Sequence, residues 1–213
     1  MKDEISTENL TRDEISRRLA EALNTASRLA HPTSHFPPGL LPDPPRQAAV
    51  LIPLLNQSHH WHVLFTRRTS TLPEHSDQVA FPGGRSDPED INPEMTALRE
   101  AQEEIGLQPS DVTILGQLYE RRTISNYCVR PMVGVIPWPY TFKLARHEVS
   151  RVFTIPLDWL GNLDNHEIRM RELPQPYSPL PVIFFKPYSG ELLWGVSAQI
   201  TLDLLFALRL LNQ

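Results

Sequence analysis

Ala97-Leu98-Arg99-Glu100-Ala101-Gln102-Glu103-Glu104-Ile105-Gly106-Leu107, preceded by Gly83-Gly84-Arg85-Ser86-Asp87, is the stretch from which the fold and chemistry of this chain are read. Asn92-Pro93-Glu94 opens a helix. Asn is a good N-cap, Pro suits the first helical position, and Glu complements the positive end of the helix dipole. Gly106 supplies the residue that commonly ends such a helix. Glu100, Glu103 and Glu104 stand at i, i+3 and i+4 and so share a face. Leu98, Ala101 and Ile105 recur on the opposite side as a candidate core stripe.

An acidic helix face is ordinarily a solvated surface. Three features argue for more here. Arg99 lies four residues before Glu103 and can pair with it, orienting the carboxylate. Phe81-Pro82-Gly83-Gly84 reads as a strand end running into a diglycine turn, where backbone oxygens can approach an ion or a phosphate closely. Hard cations such as Mg²⁺ bind several oxygens at about 2.0–2.1 Å and keep some water and phosphate ligands. Glutamates on adjacent turns suit that demand, and no Cys/His set of the kind zinc prefers is evident. Glu100, Glu103 and Glu104 are therefore candidate ligands of Mg²⁺ or Mn²⁺, with the carbonyl of Gly83 or Gly84 as a further one. Such crowding raises the pKa of at least one carboxylate until metal binds.

Arg99 to Leu107 resembles the tail of the Nudix box, Arg-Glu-apolar-x-Glu-Glu-x-Gly-apolar, at every position. The front half, from Gly84 to Arg99, is one residue longer than the common box. The residue usually found midway falls on Glu89, Asp90 or Ile91. Leu64-Phe65-Thr66-Arg67-Arg68-Thr69, Leu72, His75 and Gln78-Val79-Ala80-Phe81-Pro82-Gly83-Gly84 are similar to the upstream signature of the coenzyme A diphosphatase subgroup. Val129 to Gly134, Glu148 to Leu157 and Leu193 to Ala198 carry the likeness on, over roughly residues 47–212. Pro73 stands where that subgroup has an arginine, and Asp77 where it has a glycine.

The resemblance implies a metal-dependent hydrolase that splits the diphosphate of coenzyme A or its derivatives into 3′,5′-ADP and a 4′-phosphopantetheine. Another nucleoside diphosphate compound, such as ADP-ribose or a dinucleotide, is the alternative substrate. A nucleotide-sensing module without turnover is the rival class, although such modules usually lose box glutamates that are all present here. Metal-assisted phosphoanhydride cleavage rests mostly on electrostatics and positioning. Glu103 or Glu148 is the candidate general base and Arg99 orients the glutamates. Arg68, Arg85 and Gly84 are candidate substrate contacts, and Tyr127 could stack on an adenine or simply sit half-buried in a strand.

The 213 residues suit one globular domain with an appendage, and 40% hydrophobic content excludes disorder as the main state. A net charge of −5 and a pI near 5.9 argue against nucleic acid or an anionic membrane as an obligate partner. The one cysteine, Cys128, allows no intrachain disulfide and suits a reducing, cytoplasmic setting, where a buried, inert thiol is expected. The N-terminus lacks a signal-peptide layout, and the apolar run Leu202 to Leu211 is too short to span a bilayer. Oligomeric state is left open.

Residues 11–30 read as an amphipathic helix, with Thr11 and Glu14 as a capping box and Ile15, Leu19, Leu23 and Leu29 as its stripe. Pro32, Pro37, Pro38, Pro42, Pro44 and Pro45 make residues 32–46 an extended connector, expected to strap across the domain. Residues 1–46 thus form an N-terminal helix and connector, and residues 47–213 the hydrolase domain. Strands are expected over 48–55, 61–66, 78–81, 112–119, 127–136, 151–155 and 181–186, with a turn at Asn56-Gln57-Ser58 and a closing helix over 197–212. Leu202, Leu205, Phe206 and Leu210 are the apolar residues of that helix. His59, His60 and His62 are taken as surface residues of a strand edge. This order of elements predicts an α/β class, an α/β/α sandwich around a mixed sheet.

Overall fold

In a computed structural model, residues 7–29, 36, 37, 39–70 and 76–211 are described, the side chains of residues 26–29 excepted. Pro32, Pro38, Leu72, Pro73 and His75 lie outside them. The centre of the molecule is β1 (Arg46–Gln57), apolar along nearly its whole length because both of its faces are covered. Leu54 to Gln57 pairs antiparallel with β2 (His60–Arg68), and the far side of β1 runs parallel to β7 (Tyr127–Val135). The sheet is therefore mixed. Around these strands lie β3 (Val79–Ala80), β4 (Gly83–Arg85), β5 (Thr113–Gln117), β6 (Arg121–Arg122) and β8 (Val149–Pro156). A separate hairpin, β9 (His166–Arg171) with β10 (Leu180–Phe185), stands beside it.

Helices cover both faces. On one, α2 (Pro93–Ile105) sets Ala97, Ala101 and Ile105 against Ala49, Leu51 and Leu55 of β1, Leu64 of β2 and Met132 of β7. On the other, Ile15 and Leu19 of α1 (Arg12–Leu29) and Ala198, Leu204 and Leu205 of α4 (Gly195–Ala207) pack with Ile52, Leu54, Val63, Phe65 and Val133. The short α3 (Leu157–Gly161) adds Leu157 and Leu160. Odd residues of β1 thus meet one layer and even residues the other, as a two-residue strand period requires.

The expected helix termini are present. Asn92 accepts a hydrogen bond from Met95 N, and Gly106 takes φ +71° beyond the last turn of α2. Thr11 Oγ1 accepts from Glu14 N at 3.2 Å. The α1 helix is tied to the body, since Ser16 Oγ donates to Leu115 O and Arg18 Nη1 to Leu208 O. The described part of the connector lies along β6: Arg122 Nη2 donates to Pro42 O at 2.6 Å and pairs with Asp43 at 2.9 Å.

Several expectations are corrected. The β1–β2 hairpin turns one residue or two later than expected, at Ser58 and His59, both with positive φ, so both strands are longer. Gly83-Gly84 belongs to a strand rather than a turn. On α2 the core stripe runs through Ala97 rather than Leu98, which is only half-buried. The closing helix ends near Leu208, and Phe206 is exposed. The β9 strand is an addition to the expected ones, with Ile168 and Met170 alternating with Glu167 and Arg169.

Candidate active site

Short β4 positions the site. It pairs Ala48, Ala49 and Val50 with Arg85, Gly84 and Gly83. Bonds at its two ends, Leu51 N to Pro82 O and Ser86 N to Gln47 O, set the alternation of the ladder. By that alternation Gly83 and Arg85 turn their backbone polar groups away from β1. They meet α2 instead: Gly83 N donates to Glu104 Oε2 at 3.3 Å, and Arg85 O accepts from Arg99 Nη2 at 3.0 Å. A side chain on either glycine would meet a close neighbour, backbone at Gly83 and a side-chain end at Gly84. A Cβ on Gly83, at φ +152°, would lie 2.5 Å from Ala49 O; one on Gly84 would lie 2.5 Å from Glu100 Oε2.

The three box glutamates differ in environment. Glu104 is buried, with its side chain 5% exposed, and Arg68 Nη1 stands 3.8 Å from its Oε1. Burial pushes its carboxyl up to about 8, against the partial relief of Arg68 and the Gly83 N–H, with the charges of Glu100 and Glu148 adding to the rise. Glu100, 17% exposed, is also raised by burial, opposed by Arg99 and reinforced by Glu103 and Glu148. Glu103 is open to water. Glu148, which precedes β8, is thus brought within electrostatic reach of both buried carboxylates; its own carboxylate lies 3.2 Å from His147 Nε2.

Among the described residues, no three acidic, histidine or cysteine side chains already converge on one point. The donor chemistry nevertheless fits a hard cation. Two desolvated, mutually repelling carboxylates have their pKa values raised by burial, which a bound cation would relieve, and the bare Gly84 leaves the space that the Glu100 carboxylate occupies.

Glu104 carries a pH consequence. Its folded-state pKa of about 8 lies above the ordinary 4.5, so the stability it contributes is full below the lower value and lost as pH rises through the upper one. Metal-free protein, kept in chelator, is expected to melt at a lower temperature at pH 9 than at pH 6. Thermal scans of the Glu104→Gln variant should show a smaller difference; an equal one would mean that Glu104 is not the titrating group.

Arg99 ties the site together. Nη1 donates to Glu100 Oε1 at 2.9 Å and to Glu103 Oε2 at 3.1 Å, the second being the expected i, i+4 pair. Nε and Nη2 grip Asp90 at 3.2 and 2.9 Å. Asp90 also accepts from Asp87 N and Thr96 Oγ1, and Arg99 holds its carboxyl down to about 2. Among the three candidates for the midway box position, Asp90 is therefore the one that reaches the helix; Ile91 is 84% exposed. Spacing could not choose among them, since Glu89 is an acid as well and the choice lies in the reach of Asp90 to Arg99.

Removing the Asp90 carboxylate strands part of the guanidinium. Asp90→Ala is expected to cost about 2 kcal/mol in urea denaturation, as charge-assisted hydrogen bonds do, and to slow turnover by about tenfold through the freed glutamates. Unchanged kinetics would show that Arg99 holds its orientation without Asp90.

The other expected residues are placed as follows. Arg68, with Nε buried and without a hydrogen-bond partner, faces Glu104 and lines a groove of about 790 Å³ that also includes Gly83, Gly84 and Arg85. Arg67 does not point to that carboxylate; it bonds Glu191 at 2.7 Å and Asp77 at 3.4 Å. Asp77 takes φ +56°, a backbone conformation suited to the glycine of the subgroup pattern, and its extra charge is met by Arg67. The guanidinium of Arg46 covers a face of the Tyr127 ring at 4.0 Å, which disfavours adenine stacking there. His60 bonds Asp158 at 3.1 Å rather than joining a metal set, and His62 is half-buried. Cys128 is half-buried and pushed up to about 11, chiefly by burial, which keeps the thiol protonated.

Comparison with known proteins agrees with this geometry. The NUDIX domain family matches residues 45–175. The Nudix hydrolase NudL of Photorhabdus laumondii is 37% identical over 165 residues, 77% of this chain and 86% of that protein. NudL of Yersinia pestis is 36% identical over 156 residues, 73% and 76% of the two chains. Among solved structures, a MutT/nudix family protein from Enterococcus faecalis superposes with a TM-score of 0.50 over 92% of this chain and 71% of its own, at 14% identity, a likeness of fold.

Proposed function

The chain belongs to the Nudix family, and from that premise we propose that it hydrolyses the diphosphate of coenzyme A or its derivatives to 3′,5′-ADP and a 4′-phosphopantetheine. Pyrophosphohydrolysis of nucleoside diphosphate compounds is the activity of the family; the coenzyme A substrate is the finer reading. One observation carries it. The signature resembling that of coenzyme A diphosphatases begins at Leu64 and ends at Gly84, and its two ends meet at one carboxylate. Arg68 Nη1 is 3.8 Å from Glu104 Oε1, and Gly83 N is 3.3 Å from Glu104 Oε2.

Glu100, Glu103 and Glu104 would hold Mg²⁺ or Mn²⁺, with Gly83 O as a further ligand. When bound, the cation supplies Lewis-acid neutralisation of charge on the diphosphate. The chain's own residues do the rest. Arg99 keeps Glu100 and Glu103 in register with the strand. Arg68 and Arg85, which both line the groove, meet phosphate oxygens through charge-assisted hydrogen bonds. The proton of the attacking water passes to Glu103 or Glu148, the two carboxylates of the set that stay open to solvent.

The test is a hydrolysis panel with coenzyme A, ADP-ribose and a dinucleoside polyphosphate at equal concentration with Mg²⁺, products separated by chromatography. Coenzyme A is expected to give 3′,5′-ADP with the highest kcat/KM. A clear preference for ADP-ribose would replace the proposed substrate while keeping the reaction.

A further inference from the structure

The hairpin of β9 and β10 is a two-stranded sheet of its own, so β9 has one edge with no strand against it. The phase of its ladder is fixed by two bonds. Lys186 N donates to Asn165 O, while Phe185 N turns away from β9 to Leu193 O. By antiparallel alternation, Glu167, Arg169 and Arg171 direct their backbone groups to β10. Pro181, which has no N–H to give, stands opposite Met170 and fits that phase. The N–H and C=O of Ile168 and Met170 therefore face outward, with the C=O of His166, whose N–H is held by Leu163 O. Among the described residues no hydrogen bond reaches these outward groups. Neither a proline nor a bulge blunts the edge. Ile168 and Met170 are also 64% and 61% exposed, side by side on one face of the strand.

We infer that β9 pairs antiparallel with β9 of a second copy of this chain, about a twofold axis at Ile168. The strand's own charges select that register. With Ile168 opposite Ile168, Glu167 faces Arg169 of the second copy, and Arg169 faces its Glu167. His166 and Met170 meet in the same reciprocal way. The two Ile168 residues then exchange N–H to C=O bonds across the axis, and each Met170 N–H reaches His166 O of the other copy. Sliding the copy by two residues sets Glu167 against Glu167 in one direction and Arg169 against Arg169 in the other. Like charges directly opposite are destabilising, whereas opposite charges and apolar pairs stabilise. Within one chain, Arg169 Nε already bonds Glu167 Oε1 at 2.6 Å and its guanidinium lies 4.4 Å from the Phe184 ring centroid. Both charges are thus held on the face opposite Ile168, where the second copy's pair would meet them. Such a contact is self-complementary and closes at two copies, because it occupies the open edge of each.

The experiment measures mass by sedimentation equilibrium over a dilution series of the full chain, with circular dichroism melting to check the fold of each variant. The parent is expected at twice the 24.3 kDa of one chain. Ile168→Pro removes an outward donor while leaving the bonds to β10 in place, and should run as a single chain. Glu167→Arg and Arg169→Glu each set like charges across the axis and should raise the dissociation constant at least about tenfold. The double variant, Glu167→Arg with Arg169→Glu, restores opposite signs and should return to within about threefold of the parent. Phe206→Asp, at an apolar side chain 72% exposed on α4, should leave the dimer intact. If Ile168→Pro fails to fold, the charge variants decide. A parent that stays a single chain, a dimer that survives a folded Ile168→Pro, or one lost in Phe206→Asp overturns the inference. So does a double variant no tighter than either single one. None of these outcomes bears on the substrate.

Discussion

Glu104→Gln is expected to lower kcat/KM at least about 100-fold, which is about 2.7 kcal/mol at the barrier, while leaving the fold in place. The substitution keeps shape and the acceptor for the Gly83 N–H but removes the charge. Glu104 is the most deeply buried of the box carboxylates, and burial raises its carboxyl to about 8. Relieving an ionised carboxylate in such a place requires an intimate positive charge, and Arg68 at 3.8 Å offers only part of it. A neutral amide is better suited to the metal-free fold, so the variant should melt no lower than the parent above pH 8. Loss of activity with a retained or raised melting temperature is the expected pair of results. Activity within a few fold of the parent would remove Glu104 from the ligand set.

The glycine pair yields the second large effect, and its two members should fail differently. Gly83→Ala places a methyl 2.5 Å from both Ala49 O and Val50 Cα, which are backbone atoms of the central strand. Neither can move without disturbing the sheet, and φ +152° is itself hostile to an L side chain. A loss of about 3 kcal/mol in stability is expected from overpacking and strain together. Gly84→Ala instead meets the end of the Glu100 side chain, with Oε2 at 2.5 Å. That carboxylate can swing aside, so stability should change by less than about 1 kcal/mol while turnover falls by about tenfold to 100-fold. Denaturation and kinetics on the two variants separate the outcomes. Equal instability in both would show that Glu100 is as immobile as the backbone.

Much of this arrangement is legible before any coordinates. Asn92, Pro93 and Gly106 bound α2 through local hydrogen-bonding and backbone preference, and those bounds do not depend on the rest of the chain. The pairing of Arg99 with Glu103 follows from helical spacing alone. What is hidden is whatever depends on long-range packing. Pro82, Gly83 and Gly84 have poor strand propensity, and only pairing with β1 makes β4 a strand. The burial of Glu104 is equally non-local: Ala97 and Ala101 are small enough for α2 to sit close to the sheet, which carries the next turn's glutamate inside. Asp90 could not be distinguished from its neighbours in an elongated box, because the distinction lies in its reach to Arg99. The lining of the groove assembles from β4, β9, β10, α4 and the segment after β6, and no window of sequence contains it.

The account's centre is that the α2 carboxylates take up a hard divalent cation. Titrating the purified protein with Mn²⁺, and following free Mn²⁺ by its paramagnetic resonance signal, measures this without any substrate. Saturable binding that weakens at least about tenfold in Glu104→Gln is the result expected. Absence of saturable binding in the parent, or equal binding in the variant, would contradict it.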